Sequence, residues 1–456
     1  MLDSHDFGIV AAALIVTILL HNIRDVGLGQ ALIQRKDLDA GHVATAFAIS
    51  FYLGIAIAVS LVLAAPIIAT DLTGVPASVN VLRALGVIFA LRGLATVSFV
   101  LCQRAMNFRT IALVDTSSYA AGSLVSITAA LLGAGPWALV AGYLVEEALS
   151  ATLYVMIRPP ILSLRIDRSR SRDLLHFGAG QTIIQIAGIL ATYGDNFVVG
   201  RNLGATALGF YSRAYDLIKL PAAVFSNVIG NVLFPAFSRL QDDRAQLASG
   251  FRRVIFANAL VLLPGSAVLI ILAPEVIRIL MGANWDEAVT PFRILAVTIL
   301  MRTSYKVGAM VAASAGNVYG AAIANVVYMI AVIAGAMLTI REGIAGVAVS
   351  TAVALCIVYV HCSYLALRVS GLSARALVSA HVPGLALAVV VTAVTWPVTT
   401  VLRGELPTAI TFVVVLALAL AVAVAGLAVA LRVKLEDGAW LRAELGRIRS
   451  KLRRRT

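Results

Sequence analysis

One feature recurs from end to end of the chain: apolar runs about as long as a membrane is thick. Residues 408–432 read TAITFVVVLALALAVAVAGLAVALR, with no charged side chain before Arg432. A helix needs about 20 mostly apolar residues to cross the hydrocarbon core of a bilayer. About thirteen such stretches are legible, at 7–33, 42–69, 80–103, 110–133, 136–157, 178–203, 207–236, 253–274, 291–314, 317–340, 343–368, 378–402 and 408–432. The runs are continuous, whereas the strands of a membrane barrel would alternate. Only 13% of the 456 residues are charged and 60% are hydrophobic, against roughly 25% charged in soluble domains. The expectation is an all-α integral membrane protein.

The net charge of +13, from 36 Lys and Arg against 23 Asp and Glu, is distributed unevenly. Nucleic-acid binding needs a solvated basic face; here the bases sit in short gaps between apolar runs. Alternate gaps hold Arg35 and Lys36; Arg104 and Arg109; Arg158, Arg165, Arg168, Arg170 and Arg172; Arg239, Arg244, Arg252 and Arg253; Arg368 and Arg375. The gaps between them are poor in base: ATDLTGVPAS (69–78), GAGP (133–136), REG (341–343) and RGELP (403–407). Positive loops stay on the cytoplasmic side, so the amino terminus is expected in the periplasm and the carboxyl terminus in the cytoplasm. Cys102, Cys356 and Cys362 lie inside apolar runs, form no CxxC and read as small buried residues. No metal or cofactor is expected, and no phosphate loop, nucleophile elbow or dinucleotide fingerprint marks an enzyme.

Two stretches resemble each other. Phe7-Gly8-Ile9-Val10-Ala11-Ala12-Ala13 runs on to VGLGQALIQR (26–35), and Leu208-Gly209-Phe210-Tyr211-Ser212-Arg213-Ala214 runs on to VIGNVLFPAFSR (228–239). Transporters built from repeated halves show such weak internal similarity. The expected organisation is an N-terminal lobe of five spans (1–157), a basic cytoplasmic linker (158–177), a C-terminal lobe of six spans (178–370) and two additional spans (371–433). A basic tail (434–456) follows, in which Trp440, Leu441, Leu445, Ile448 and Leu452 share one helical face. A full span precedes the second repeat copy and only six residues precede the first, so a first helix of the fold is expected to be missing.

Charge inside a membrane is costly and defaults to a functional role. The spans contain Arg24, Asp25, Arg83, Arg92, Asp115, Glu146, Glu147, Asp195, Arg213, Asp216, Lys219, Arg302, Lys306 and His361. Arg83, Asp115 and Arg213 are close enough to span ends to snorkel. Arg92, Glu146 and Glu147 are deeper and read either as a buried structural pair or as part of a substrate site. Asp216 and Lys219, three apart, share a helical face and can neutralise each other. Arg302 and Lys306, four apart, carry like charge and require an anion or a water-filled cavity, with Arg302 the deeper of the two.

The block GDNFVVGRNLGATALGFYSRAYDLIKLP (194–221), with VLFPAFSRLQDD (232–243), resembles the signature of Wzx-type polysaccharide flippases. LDSHDFGIVAAALIV (2–16) and RDVGLGQALIQRKDLD (24–39) fit the same family. This is the exopolysaccharide and O-antigen exporter branch of the multidrug/oligosaccharidyl-lipid/polysaccharide exporter superfamily. The resemblance implies two six-helix lobes around a cavity, with two further helices. Residues 7–157 take the places of helices two to six, and helix one is lacking. It also implies a substrate, an undecaprenyl-diphosphate-linked oligosaccharide moved from the inner to the outer leaflet of the bacterial inner membrane by alternating access. Arg24, Arg92, Lys219, Arg302 and Lys306 would contact the diphosphate. Asp25, Asp195, Asn196 and Asp216 would serve coupling or charge pairing. Membrane lipids, a polysaccharide polymerase and chain-length machinery are the implied partners, with no nucleic acid. Alternatives are a cation-coupled multidrug exporter, which needs an acidic cavity, a lipid scramblase, and a polysaccharide polymerase or ligase. The last needs a sizeable outer loop, and the longest here is 273–290.

Overall fold

The computed structural model describes residues 2–24, 38–167, 179–228, 243–315 and 317–432, with Leu32, Ser171, Leu233, Phe237 and Leu240. Among the described residues there are helices and turns and no strand. The helices are α1 (Ser4–Arg24), α2 (Ala40–Ile67), α3 (Val79–Arg104), α4 (Phe108–Leu131), α5 (Pro136–Ile157), α6 (Ala179–Val228) and α7 (Arg244–Ile271). They continue as α8 (Ala273–Met281), α9 (Val289–Ala296), α10 (Ile299–Ser314), α11 (Val318–Thr339), α12 (Gly343–Ser370), α13 (Ala374–Glu405) and α14 (Thr408–Arg432).

Local chemistry sets the helix ends. Asp39 accepts a bond from the backbone N–H of His42 at 2.7 Å and caps α2. Asp243 accepts from the N–H groups of Gln246 and Ala245 at the start of α7, and these bonds hold its carboxyl below the usual aspartate range. Pro136 opens α5 at a position where no N–H is needed. Gly282 and Gly371 end α8 and α12 with φ of 99° and 73°, a region closed to most other residues.

Nine stretches among the described residues are long and apolar enough to cross a membrane; Ile323–Ser370 covers α11 and α12, and Ala283–Ser314 covers α9 and α10. Large apolar side chains lie on the outside, including Leu63, Leu132, Leu338 and Val424, while Asp195 and Thr303 are enclosed. Apolar outside and polar within suits lipid as the solvent. The chain is a multi-pass helical membrane protein.

It divides into two compact units, Met1–Ser212 with Val332–Gly343, and Arg213–Ala331 with Ile344–Thr456. In the first, α3 packs against α1, α2 and α5, and α5 against α4. Gly54 and Gly93 let α2 and α3 touch backbone to backbone, as Gly122 and Gly142 do for α4 and α5. In the second, α7 packs along α13 and α10, around Phe251, Ile255, Val307, Val311 and Val391. A Cβ on Gly384 would strike the backbone of Ala259, which fixes how closely α7 and α13 approach.

α6 contains a break. Gly204 has φ 81° and ψ −175° between two helical arms. The Tyr211 hydroxyl donates to Oδ2 of Asp195 at 2.8 Å across that break. In an unbroken helix those residues would stand about 24 Å apart, so the chain reverses at Gly204. The break coincides with the gap read between spans 178–203 and 207–236. The segment 273–290, read as an outer loop, is instead α8 followed by a 3-10 turn at Ala283–Ala288. The basic tail 434–456 and Asp25 lie outside the described residues.

Candidate functional site

Arg302 is a buried cation of the second unit. It projects from α10 and is 8% exposed. One guanidinium nitrogen, Nη1, donates to the Tyr215 hydroxyl at 3.0 Å, and the guanidinium carbon stands 4.6 Å from the centre of the same ring. Nε and Nη2 are enclosed with no hydrogen-bond partner among the described residues. The rings of Tyr305 and Tyr328, 6.0 Å apart, lie within electrostatic range of the guanidinium. Lys306, half-buried one turn on, is close enough to repel it.

Lys219 approaches the same tyrosine, its Nζ 4.3 Å from the Tyr215 ring centre and 3.4 Å from Oδ1 of Asp216. Asp216 also faces Arg213 at 3.7 Å. Tyr215 is therefore approached by two cations, Arg302 and Lys219, and of the two only Lys219 has a carboxylate partner among the described residues. Two nitrogens of a buried guanidinium, Nε and Nη2, are strong donors with no acceptor among the described residues, which is the chemistry of an anion site.

The deep charges of the first unit are arranged differently. Arg92 on α3 donates through Nε to Oε2 of Glu147 at 2.8 Å and through Nη2 to Oε1, a bidentate pair between α3 and α5. Its Nη1 lies 2.6 Å from Nε2 of His21 on α1. Arg92 thus ties three helices together, so it has the geometry of the structural pair and not of an open anion contact. Glu146, beside it, turns toward Gly122 on α4. Asp115 accepts from the Tyr154 hydroxyl at 2.7 Å.

Asp195 is fully buried. Its Oδ1 accepts from the backbone N–H of Asn196 at 2.8 Å and from Nδ2 at 3.2 Å, while Oδ2 accepts from Tyr211. Oδ1 of Asn196 is enclosed and has no hydrogen-bond partner among the described residues. Arg24 ends α1, and nothing is described of its side chain. The structure therefore brings Arg302, Lys306 and Lys219 near one tyrosine cluster and keeps Arg92 and Asp195 in separate settings.

Sequence reasoning missed Tyr211 and Tyr215, four apart in FYSRAYDLIK, and His21. A signal was present: a tyrosine hydroxyl within a span needs a partner when buried.

The two similar stretches meet in three dimensions. A Cβ on Gly8 would overlap the carbonyl oxygen of Ala205, and a Cβ on Gly209 would overlap that of Ser4. Each glycine meets the carbonyl four residues before the other, the reciprocity expected of two copies related by a local two-fold axis.

A family model described as polysaccharide biosynthesis protein matches residues 1–290. The chain belongs to that family. The blocks 194–221 and 232–243 fall within the matched residues. Over 305 residues the chain is 26% identical to the lipopolysaccharide biosynthesis protein WzxC of Escherichia coli (strain K12), covering 66% of this chain and 62% of that one. Over 300 residues it is 28% identical to the succinoglycan biosynthesis transport protein ExoT of Rhizobium meliloti (strain 1021), covering 65% and 60%. The match thus spans about three fifths of the length of these curated relatives. Among solved structures, the lipid II flippase MurJ in an inward closed conformation aligns with a TM-score of 0.74 at 12% identity, over 94% of this chain and 93% of that one. An inward-facing multidrug resistance transporter of the MATE family, in the MOP superfamily, aligns at 0.63 and 15% identity, over 80% and 88%. At these identities the likeness is one of fold.

Proposed function

We propose that the chain is a flippase that moves an undecaprenyl-diphosphate-linked oligosaccharide from the inner to the outer leaflet for surface polysaccharide synthesis. It is read as a carrier and not an enzyme, working by alternating access of two lobes, 1–157 and 178–370, in the bacterial inner membrane. The amino terminus is periplasmic and the carboxyl terminus cytoplasmic in this reading. A polysaccharide polymerase and chain-length machinery are its proposed partners. The names of the relatives, a lipopolysaccharide and a succinoglycan biosynthesis protein, support the substrate class.

The observation that carries the proposal is Arg302. A buried guanidinium with two nitrogens that lack an acceptor among the described residues suits a diphosphate, which accepts bidentate bonds, far better than it suits lipid. Tyr215 covers it, so an arriving anion would displace that ring while Lys219 and Lys306 add charge. Arg24 is proposed as a further contact from α1. Asp195 and Asn196 supply oxygens for a coupling cation, with Asp25 and Asp216 as charge partners. A cation-coupled multidrug exporter shares the fold, but its cationic substrates would be repelled by Arg302.

Complementation of a flippase-deficient strain tests this. Arg302→Ala is expected to reduce surface polysaccharide at least tenfold at unchanged membrane abundance, and Arg302→Lys to keep part of it. Wild-type polysaccharide from the alanine variant would overturn the proposal.

A further inference from the structure

The exposed face of α12 has no part in the proposed transport site. Cys356, Ile357, Val360, His361 and Tyr364 line a shallow, open hollow of about 470 Å³ on it. Their spacing, i, i+1, i+4, i+5 and i+8, is one stripe of a helix. Arg368 continues the stripe, its guanidinium carbon 5.5 Å from the centre of the Tyr364 ring. From Cys356 to Arg368 the stripe runs about 18 Å at 1.5 Å per residue.

Its polarity is graded along the helix axis. At the deeper end Ile357 and Val360 are exposed apolar surface. Towards the helix end, Nε2 of His361 is enclosed with no hydrogen-bond partner among the described residues, and the Tyr364 side chain is half-exposed. Arg368, in the last turn, is exposed and makes no ion pair among the described residues, and Arg375 is exposed just beyond the turn at Gly371. A free inorganic anion would use the basic end and leave the apolar hollow empty. An acyl chain alone would leave Arg368 unused. An amphiphile lying parallel to the helix satisfies both ends at once.

We propose that this stripe binds one anionic phospholipid, with its phosphate on Arg368 and an acyl chain along Val360, Ile357 and Cys356. The stacked Tyr364 ring holds the guanidinium in place. Two neighbouring bases, Arg368 and Arg375, favour a headgroup of net negative charge over a zwitterionic one. The inference rests on the membrane orientation proposed above, which puts the Arg368 end at the cytoplasmic leaflet.

The full chain purified in mild detergent, mixed with phosphatidylglycerol or phosphatidylcholine, is examined by native mass spectrometry and by thermal unfolding. Phosphatidylglycerol is expected to give a retained one-lipid adduct and a higher Tm; phosphatidylcholine is expected to give neither. Arg368→Gln should lower retention about fivefold, and Arg368→Lys should restore most of it, which separates a lost contact from a misfolded chain. Arg341→Gln, at the opposite end of α12, should leave retention unchanged. Equal retention of the two lipids, or an Arg368→Gln variant that retains phosphatidylglycerol fully, would overturn the site. Displacement of phosphatidylglycerol by an equal amount of undecaprenyl phosphate would assign the stripe to the carried lipid and overturn it too. None of these readouts measures export, so a failure of the Arg302 test leaves them unaffected.

Discussion

Glu275 shows what a single buried carboxylate does in this chain. It lies on α8 with 3% of its surface exposed, and Arg403, at the end of α13, meets it through two bonds of 2.7 and 2.9 Å. The same guanidinium donates to the carbonyl of Ile271 at 2.6 Å, closing a free acceptor at the end of α7. Removing Glu275 strands Arg403, whose side chain is 32% exposed, and costs about 1–3 kcal/mol. Glu275→Ala should therefore lower the unfolding temperature in detergent, and adding Arg403→Leu should recover much of the loss. An unchanged melting temperature in the single variant would show that the pair is dispensable. The sequence revealed none of this, because the partners are 128 residues apart. Arg92 and Glu147, 55 apart, were read as deep charges for the same reason, with their pairing left open. Only pairs one helical turn apart, such as Asp216 and Lys219, announce themselves by spacing.

At the scale of elements, legibility followed the backbone. Spans show because an apolar run of membrane length has few other fates, and the reversal at Gly204 shows because the apolar pattern lapses there. The repeat was legible as two similar strings; that the copies cross at Gly8 and Gly209 was not, since a contact between helices leaves no periodicity in either. That crossing yields a prediction. With a Cβ at either position overlapping a carbonyl oxygen, the backbones themselves must separate. Overpacking of this kind typically costs about 1–3 kcal/mol. Gly8→Leu and Gly209→Leu should each lower thermal stability, by similar amounts because the contact is reciprocal. Gly404→Leu, where a Cβ meets open space, is the control and should melt like the parent. If Gly209→Leu melts like the control, the crossing is not tight in the membrane.

For the whole molecule the open property is which way it faces. In the first unit the base-poor connections gather at one end: Gly135 is beside Asp6, Gly209 beside Ser4, and Gly74 against the backbone of Arg201. At the other end Arg104 reaches the carbonyl of Leu32 at 2.5 Å, while Tyr52, midway along α2, donates to the carbonyl of Leu164 in the basic segment after α5. Charge asymmetry between the two ends is thus a property of the fold as well as of the string, and positive ends remain cytoplasmic. Labelling of single cysteines in intact cells checks this, in a background where Cys102, Cys356 and Cys362 are replaced. Ala77 is exposed in the turn between α2 and α3, whereas its neighbour Ser78 is enclosed and would report poorly. Leu162 is exposed in the basic segment. An impermeant maleimide should label Ala77→Cys from outside and reach Leu162→Cys only after the inner membrane is opened. The reverse pattern would invert the orientation, placing Arg368 and the proposed phospholipid site at the outer leaflet.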